Sequence, residues 1–196
     1  MSEKLKDKSC AEFTQLMAST APAPGGGGAS AMLAAMAVSL GDMVGEFTVG
    51  KKKYAEVEEE LRALMARSQE LRLRFLELID EDAEKFLPLA AAYGIPKDAP
   101  GRDEELERCL RIAIEAPMEI FRLSLEVAAI LEVFEKKGSR LLISDASTGK
   151  AFIRAALEGA AINVKVNTRL MKDRAYAEET ERYLDEKMRD AVWQYS

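Results

Sequence analysis

From Tyr54 to about Tyr93 the apolar residues Val57, Leu61, Leu64, Leu71, Phe75, Leu78, Ile79 and Phe86 recur at steps of three and four. That spacing gathers side chains onto one face of an α-helix and would scatter them over both faces of a strand, so it predicts one long amphipathic helix. Such a helix must bury its stripe along its whole length, which requires other long helices beside it. The remaining sequence supplies them. Ser9 with Glu12 three residues on reads as a capping box opening a short helix to about Ser19. An apolar helix follows from about Ala29 to Phe47, and another runs from about Asp103 to Lys136 with Pro117 inside it. SDASTG, capped by Ser144 or Asp145, starts a helix to about Met171. A final amphipathic helix from Arg174 to Trp193 offers Tyr176, Tyr183, Leu184, Met188 and Val192 for packing. Pro88 is expected to kink the long helix. APAPGGGG (21–28) and GIPKDAPGR (94–102) read as breaks, and Arg140–Ile143 as a short extended piece. With no strand pair and no internal repeat, the predicted fold is all-α: a bundle of long, mostly antiparallel helices in a single domain over 1–196. The Ala-rich apolar helix is expected to complete its packing against a second copy, giving a homodimer.

Charge and residue inventory narrow the function. With 28 Lys+Arg against 34 Asp+Glu the formal net charge is -6, and no extended basic patch offsets it, which argues against nucleic acid. The charged start MSEKLKDKSCAEF lacks an apolar run, and Ala29–Val44 reads as too short to cross a bilayer, so no membrane role is expected. Cys10 and Cys109 lie far apart without metal-type spacing, which points to a reducing, cytoplasmic setting and no zinc site. Histidine is absent, so any catalysis must use carboxylates, Lys, Tyr, Cys or backbone dipoles.

Four features carry candidate chemistry. Gly25, Gly26, Gly27 and Gly28 precede a helix, where close backbone approach and unpaired N–H groups make a cradle for an anion or carbonyl; a flexible turn is the plainer alternative, though it calls for fewer glycines. The run is neither a dinucleotide fingerprint nor a phosphate loop, and GEFTVGK (45–51) fails as the latter because Lys52 stands where Ser or Thr should follow. Lys51, Lys52 and Lys53 form a cationic cluster suited to a carboxylate or phosphate, or simply a solvated joint. Asp82 continues the stripe of Phe75, Leu78 and Ile79, whereas Asp80, Glu81 and Glu84 fall off it and should be solvated. A carboxyl among Leu, Ile and Phe would tend to a raised pKa fit for proton transfer; an ion pair with a neighbouring arginine is the equal alternative. Asn163 and Asn167 share one helix face with Phe152, Ala156 and Gly159, where they could read a heterocycle edge or bond between helices.

Taken in order, PAPGGGG (22–28), GKKKY (50–54), DAEKF (82–86), IPKD (95–98), APM (116–118), SDA (144–146) and AALEGAAINVKVN (155–167) resemble the formiminotetrahydrofolate cyclodeaminase and methenyltetrahydrofolate cyclohydrolase family across nearly the whole chain. The resemblance implies an all-helical homodimer that closes the N5-formimino group of tetrahydrofolate onto N10 and releases ammonia, with no cofactor beyond the folate and no metal. It makes Asp82 the proton carrier, the glycine run the folate cradle, Lys51 and Lys52 the holders of a polyglutamate tail, and Asn163 and Asn167 pocket walls. One departure stands out: where the family carries Ser after three glycines, this chain has Gly28. A separate enzyme is expected to load the formimino group. Cyclohydrolase activity on the same methenyl bridge is the alternative reaction, and a non-catalytic dimerisation module the alternative class.

Overall fold

The structure, a computed structural model, describes residues 4–191. Val192 and Trp193, expected in the last helix, lie outside the described residues. A 3-10 turn at Leu5–Asp7 leads into α1 (Cys10–Met17), α2 (Gly26–Glu46) and, after a 3-10 stretch at Lys52–Val57, α3 (Glu58–Ala92). Then come α4 (Arg102–Ala113), α5 (Glu115–Lys137), a 3-10 turn at Arg140–Leu142, α6 (Ile143–Thr168) and α7 (Arg174–Asp190). No strand occurs among the described residues. The all-helical reading of the sequence holds.

Several boundaries moved for local reasons. The Ser9 capping box forms as expected, Glu12 N–H donating to Ser9 Oγ and Ser9 N–H to the Glu12 carboxylate. Helix α2 starts at Gly26, not Ala29, so three of the four glycines form its first turn. At 21 residues α2 is therefore long and apolar enough to cross a bilayer, although 56% of that apolar window is buried inside the bundle. The expected helix from Asp103 to Lys136 is two, parted at Ile114, with Pro117 in the first turn of α5, where a missing N–H costs nothing. Arg140–Leu142 is a 3-10 turn rather than extended, and α6 begins at Ile143, before the proposed caps. Helix α3 runs on through Pro88.

Helix α2 is the central element, packed on α3, α5 and α6. It runs antiparallel to α3, since Gly28 approaches Ile79 and Gly45 approaches Met65, and antiparallel to α6, since Gly26 meets Asn163 and Gly149 meets Ala37. Small residues make this possible: Ala31, Ala34 and Ala37 are fully buried on α2, and Ala156 and Ala160 on α6. The bundle core is filled by Phe75, Phe121, Phe134, Leu61, Leu78 and Ile153. Helices α3 and α5 are laced antiparallel by Arg67 to Glu126 and Arg74 to Glu119, half-exposed pairs that each add at most about 1 kcal/mol. Lys150 is the exception, 5% exposed and clasped by Glu132 and Glu135 of α5 at 2.8 and 2.6 Å.

The α2–α6 contact tests the close-packing argument. A Cβ on Gly149 would lie 3.2 Å from the Ala37 carbonyl oxygen, which cannot move aside as a side chain can. Gly149→Val should destabilise the fold by about 1–3 kcal/mol in urea unfolding monitored by circular dichroism, despite valine's better helix propensity. A stability equal to or above the parent would show that the two helices are not tightly apposed.

Candidate active site

Helix α2 starts without a side-chain cap of its own, because its N-cap is Gly25 and its first turn has no acidic residue. The missing acceptor comes from another helix. Gly28 N–H donates to Asp82 Oδ2 of α3 at 3.0 Å, so the carboxylate closes the positive end of α2 from outside it. This requires the glycines. A Cβ on Gly27 would overlap the Asp82 carboxylate, and one on Gly26 would lie 2.7 Å from Asn163 Nδ2. Gly28 is different, since a Cβ there would meet Pro24 at an ordinary 3.4 Å, so the serine of the family pattern would fit and is not excluded by sterics.

Asp82 is half-buried on the same stripe as Leu78 and Ile79, as the helical periodicity predicts. No cation pairs with it among the described residues, which answers the ion-pair alternative for this chain. Removal from water pushes its carboxyl up to about 6, against the lowering effect of the Gly28 amide. Its neighbours departed from expectation. Asp80 is 9% exposed and accepts from Leu5 N–H at 2.7 Å, holding the N-terminal turn to α3 instead of being solvated. Glu81 is half-buried, its carboxyl lowered first by the Arg74 hydrogen bond. Glu84 is exposed, as expected.

Gly25, Gly26, Gly27, Asp82, Asn163 and Asn167 line one cavity of about 350 Å³. Phe86, Tyr93, Ala113, Pro117 and Val166 give it apolar walls. Both asparagines spend their Nδ2 on helix carbonyls, Asn163 on Gly159 at 2.8 Å and Asn167 on Asn163 at 2.9 Å, leaving each Oδ1 as an acceptor. Asp82 is the one charged residue of the lining. A partly open, mostly apolar slot with acceptors, first-turn amides and a protonatable carboxyl suits a flat, donor-bearing heterocycle.

Lys51 and Lys52 are not in this cavity. They follow the C-terminal end of α2, and 21 residues at 1.5 Å per residue put them roughly 30 Å from the glycines of their own chain. Lys51 Nζ donates to the Phe47 carbonyl at 2.6 Å and sits over the Phe47 ring, while Lys52 is exposed. Sequence neighbours along a helix joint are not spatial neighbours of that helix's start, which is why the spacing misled.

Tyr93 and Pro117 were not foreseen as walls. Pro117 carried a signal, being inside a helix where it had no evident reason to be. Asp42 was missed too: burial raises its carboxyl to about 6, opposed by the Ser68 hydrogen bond, but it lies near the C-terminal end of α2, away from the Gly25–Gly28 run. A larger groove of about 640 Å³ between α3, α5 and α7 is walled by Lys85, Glu115, Glu119, Arg122 and Glu179. These mixed charges, several engaged in surface ion pairs, offer no poised acid or base, so size does not make that groove the chemical site.

Comparison with known proteins adds independent information. The sequence model of the formiminotransferase-cyclodeaminase family matches residues 9–186. A methenyltetrahydrofolate cyclohydrolase of Methylorubrum extorquens is 39% identical over 171 residues, covering 85% of this chain and 82% of that protein. The formimidoyltransferase-cyclodeaminase of Dictyostelium discoideum is 31% identical over 97% of this chain, which spans only 35% of that protein. The crystal structure of formiminotetrahydrofolate cyclodeaminase from Thermotoga maritima superimposes with a TM-score of 0.85 at 29% identity, covering 96% of this chain and 93% of that one.

The environment of Asp82 predicts a pH signature. Its folded-state pKa of about 6 stands above the ordinary 3.8, so its favourable contribution is complete below 3.8 and is lost as pH rises through 6. Asp82→Asn, which keeps an acceptor for Gly28 N–H, should therefore gain stability relative to the parent between pH 4 and pH 8 in paired denaturation curves. A difference that does not vary with pH would mean the carboxyl is solvated.

Proposed function

Because the chain belongs to the formiminotransferase-cyclodeaminase family, we propose that it is a folate-dependent one-carbon enzyme working on the bridge between N5 and N10 of tetrahydrofolate, with Asp82 as its proton carrier. The observation that carries this reading is a carboxyl without a cationic partner among the described residues, held on the Gly28 amide at a mostly apolar slot of about 350 Å³. With no histidine in the chain, a carboxyl poised near neutrality is the group best suited to both accept and return a proton.

Two reactions use that chemistry. In the cyclodeaminase reaction N10 attacks the carbon of the protonated formimino group, N5–CH=NH2+, and loses its proton to Asp82, which returns it to the departing NH2 so that ammonia leaves and the methenyl cation forms. In the cyclohydrolase reaction water attacks the methenyl carbon, Asp82 takes one of its protons and passes it to N5 as the carbon–N5 bond breaks, and the remaining hydroxyl proton is released as the 10-formyl carbonyl forms. In both, the carboxylate stabilises positive charge on the bridge. The 39% identity to the Methylorubrum cyclohydrolase favours hydrolysis, and the fold match to the Thermotoga cyclodeaminase favours deamination. Gly25, Gly26 and Gly27 would form the pterin cradle, Gly28 lying outside the cavity lining with its N–H on Asp82, and Asn163 and Asn167 would accept from the ring donors. The ligand is a reduced folate, polyglutamylated in its physiological form, in a cytoplasmic setting; the free cysteines Cys10 and Cys109 fit that compartment.

Asp82→Asn should lower turnover of both 5-formiminotetrahydrofolate and 5,10-methenyltetrahydrofolate by about 10²–10⁴-fold while leaving binding of 5-formyltetrahydrofolate within a few-fold. Undiminished turnover of the substrate the parent uses would remove Asp82 from its role, and the parent's product identifies the reaction. Gly27→Ala should cost both turnover and binding, because its methyl displaces the carboxylate.

A further inference from the structure

The α3 wall of the Asp82 cavity ends in a tyrosine whose side chain holds nothing of its own. At 3.6 residues per turn, Asp82, Phe86 and Tyr93 fall within about 40° of one another, so one face of α3 carries all three into the cavity lining. Phe86 stands one turn from Asp82 and Tyr93 three turns, roughly 16 Å along the axis. The Tyr93 backbone is fixed. Its N–H donates to the Leu89 carbonyl at 3.1 Å, Gly94 N–H and Ile95 N–H donate to Ala91 and Ala92, and Arg102 Nε donates to the Ile95 carbonyl at 3.0 Å. Its side chain is left open. Tyr93 is 48% exposed, and no hydrogen bond or ring contact engages it among the described residues. Tyr54, Tyr176 and Tyr183, by contrast, each lie against a cation: Lys53, Arg111 and Arg122. An aromatic ring on a fixed backbone, facing a cavity and left without a partner, is a surface kept for a ligand.

We propose that Tyr93 determines specificity for the aminobenzoyl part of a reduced folate, its ring flanking the arene and its hydroxyl donating to the arene's carbonyl; this rests on the folate reading of the cavity. The direction follows from where the polar groups are. Gly26, Gly27, Asp82 and Asn163 meet at one end of the slot, which suits the pterin and the reacting bridge. With N10 held at the Asp82 carboxyl, the substituent on N10 leads away from that end. It is a flat, apolar ring that finishes in a carbonyl acceptor. Along α3 from Asp82 the wall turns aromatic, and aromatic pairs in offset or edge contact add to the burial of their faces. The carbonyl needs a donor. Both asparagine amides of the lining already donate to helix carbonyls, whereas the Tyr93 hydroxyl makes no bond among the described residues. Partial burial raises the pKa of that hydroxyl, so it keeps its proton and remains a donor.

The test compares two ligands by calorimetric titration: 5-formyltetrahydrofolate, and 5-formyl-6-methyltetrahydropterin, which keeps the pterin and the formyl group but ends before N10. Tyr93→Ala should weaken the folate about tenfold and leave the pterin within about twofold of the parent. Tyr93→Phe, which keeps the ring, should weaken the folate about threefold through the lost hydroxyl bond. In turnover, Tyr93→Ala should raise KM for the substrate the parent converts and leave kcat within a few-fold. Equal weakening of both ligands would set Tyr93 against the pterin and overturn the assignment, as would a Tyr93→Ala protein that binds the folate like the parent. Folate affinity unchanged in Tyr93→Phe would remove the carbonyl bond, whether or not the alanine variant folds. A parent that binds neither ligand would overturn the folate reading and the Tyr93 role together, an outcome distinct from a parent that binds both while the variants fail to separate them.

Discussion

The start of α2 depends on a carboxylate that α2 does not contain. A helix that begins with glycines has no side chain to satisfy its first amides, and here Asp82 of α3 takes the Gly28 N–H from across the bundle. The bond is local, but it sets the relative height of α2 and α3 and fixes Asp82 where the backbone can come closest. Everything else in the cavity is arranged around that contact. Asn163 lies against Gly26 because α6 runs antiparallel to α2, and Phe86 follows Asp82 by one turn on α3.

This arrangement trades stability for chemistry. A carboxylate at a helix N-terminus is ordinarily favourable and easily ionised. Burial among apolar residues outweighs that effect and leaves the group near neutrality, where it can exchange protons but costs stability when ionised. Glycines at three successive helical positions add backbone entropy to the cost of folding. The surrounding bundle offsets both through close α2–α3–α6 packing and a continuous core. The pattern resembles that of enzymes which, lacking histidine at the site, tune a carboxyl by desolvation.

Much was legible from the residues. The periodicity from Val57 to Phe86 implied the long helix and pointed Asp82 inward, and the Ser9–Glu12 pair located the start of α1. Errors clustered where tertiary context overrides local signals. Four glycines look like a break, yet a trans cap makes three of them helical. Asp80 is off the apolar stripe, yet the N-terminal turn covers it and donates to it. The continuous pattern from Asp103 to Lys136 hid a break at Ile114 that no Gly or Pro marks at that position.

Sequence alone determined the fold class and much of the inventory of reactive groups, because periodicity and composition are properties of the chain in order: long helices, no histidine, a glycine run, and Asp82 on the inward stripe. Only tertiary structure decided which of these meet. Asp82, the glycines and the two asparagines come from three helices and converge because α2 is antiparallel to both α3 and α6. Lys51 and Lys52, closer to the glycines in sequence than Asp82 or either asparagine, end a helix length away, since a helix carries neighbours in order apart at 1.5 Å per residue while antiparallel packing brings distant residues together.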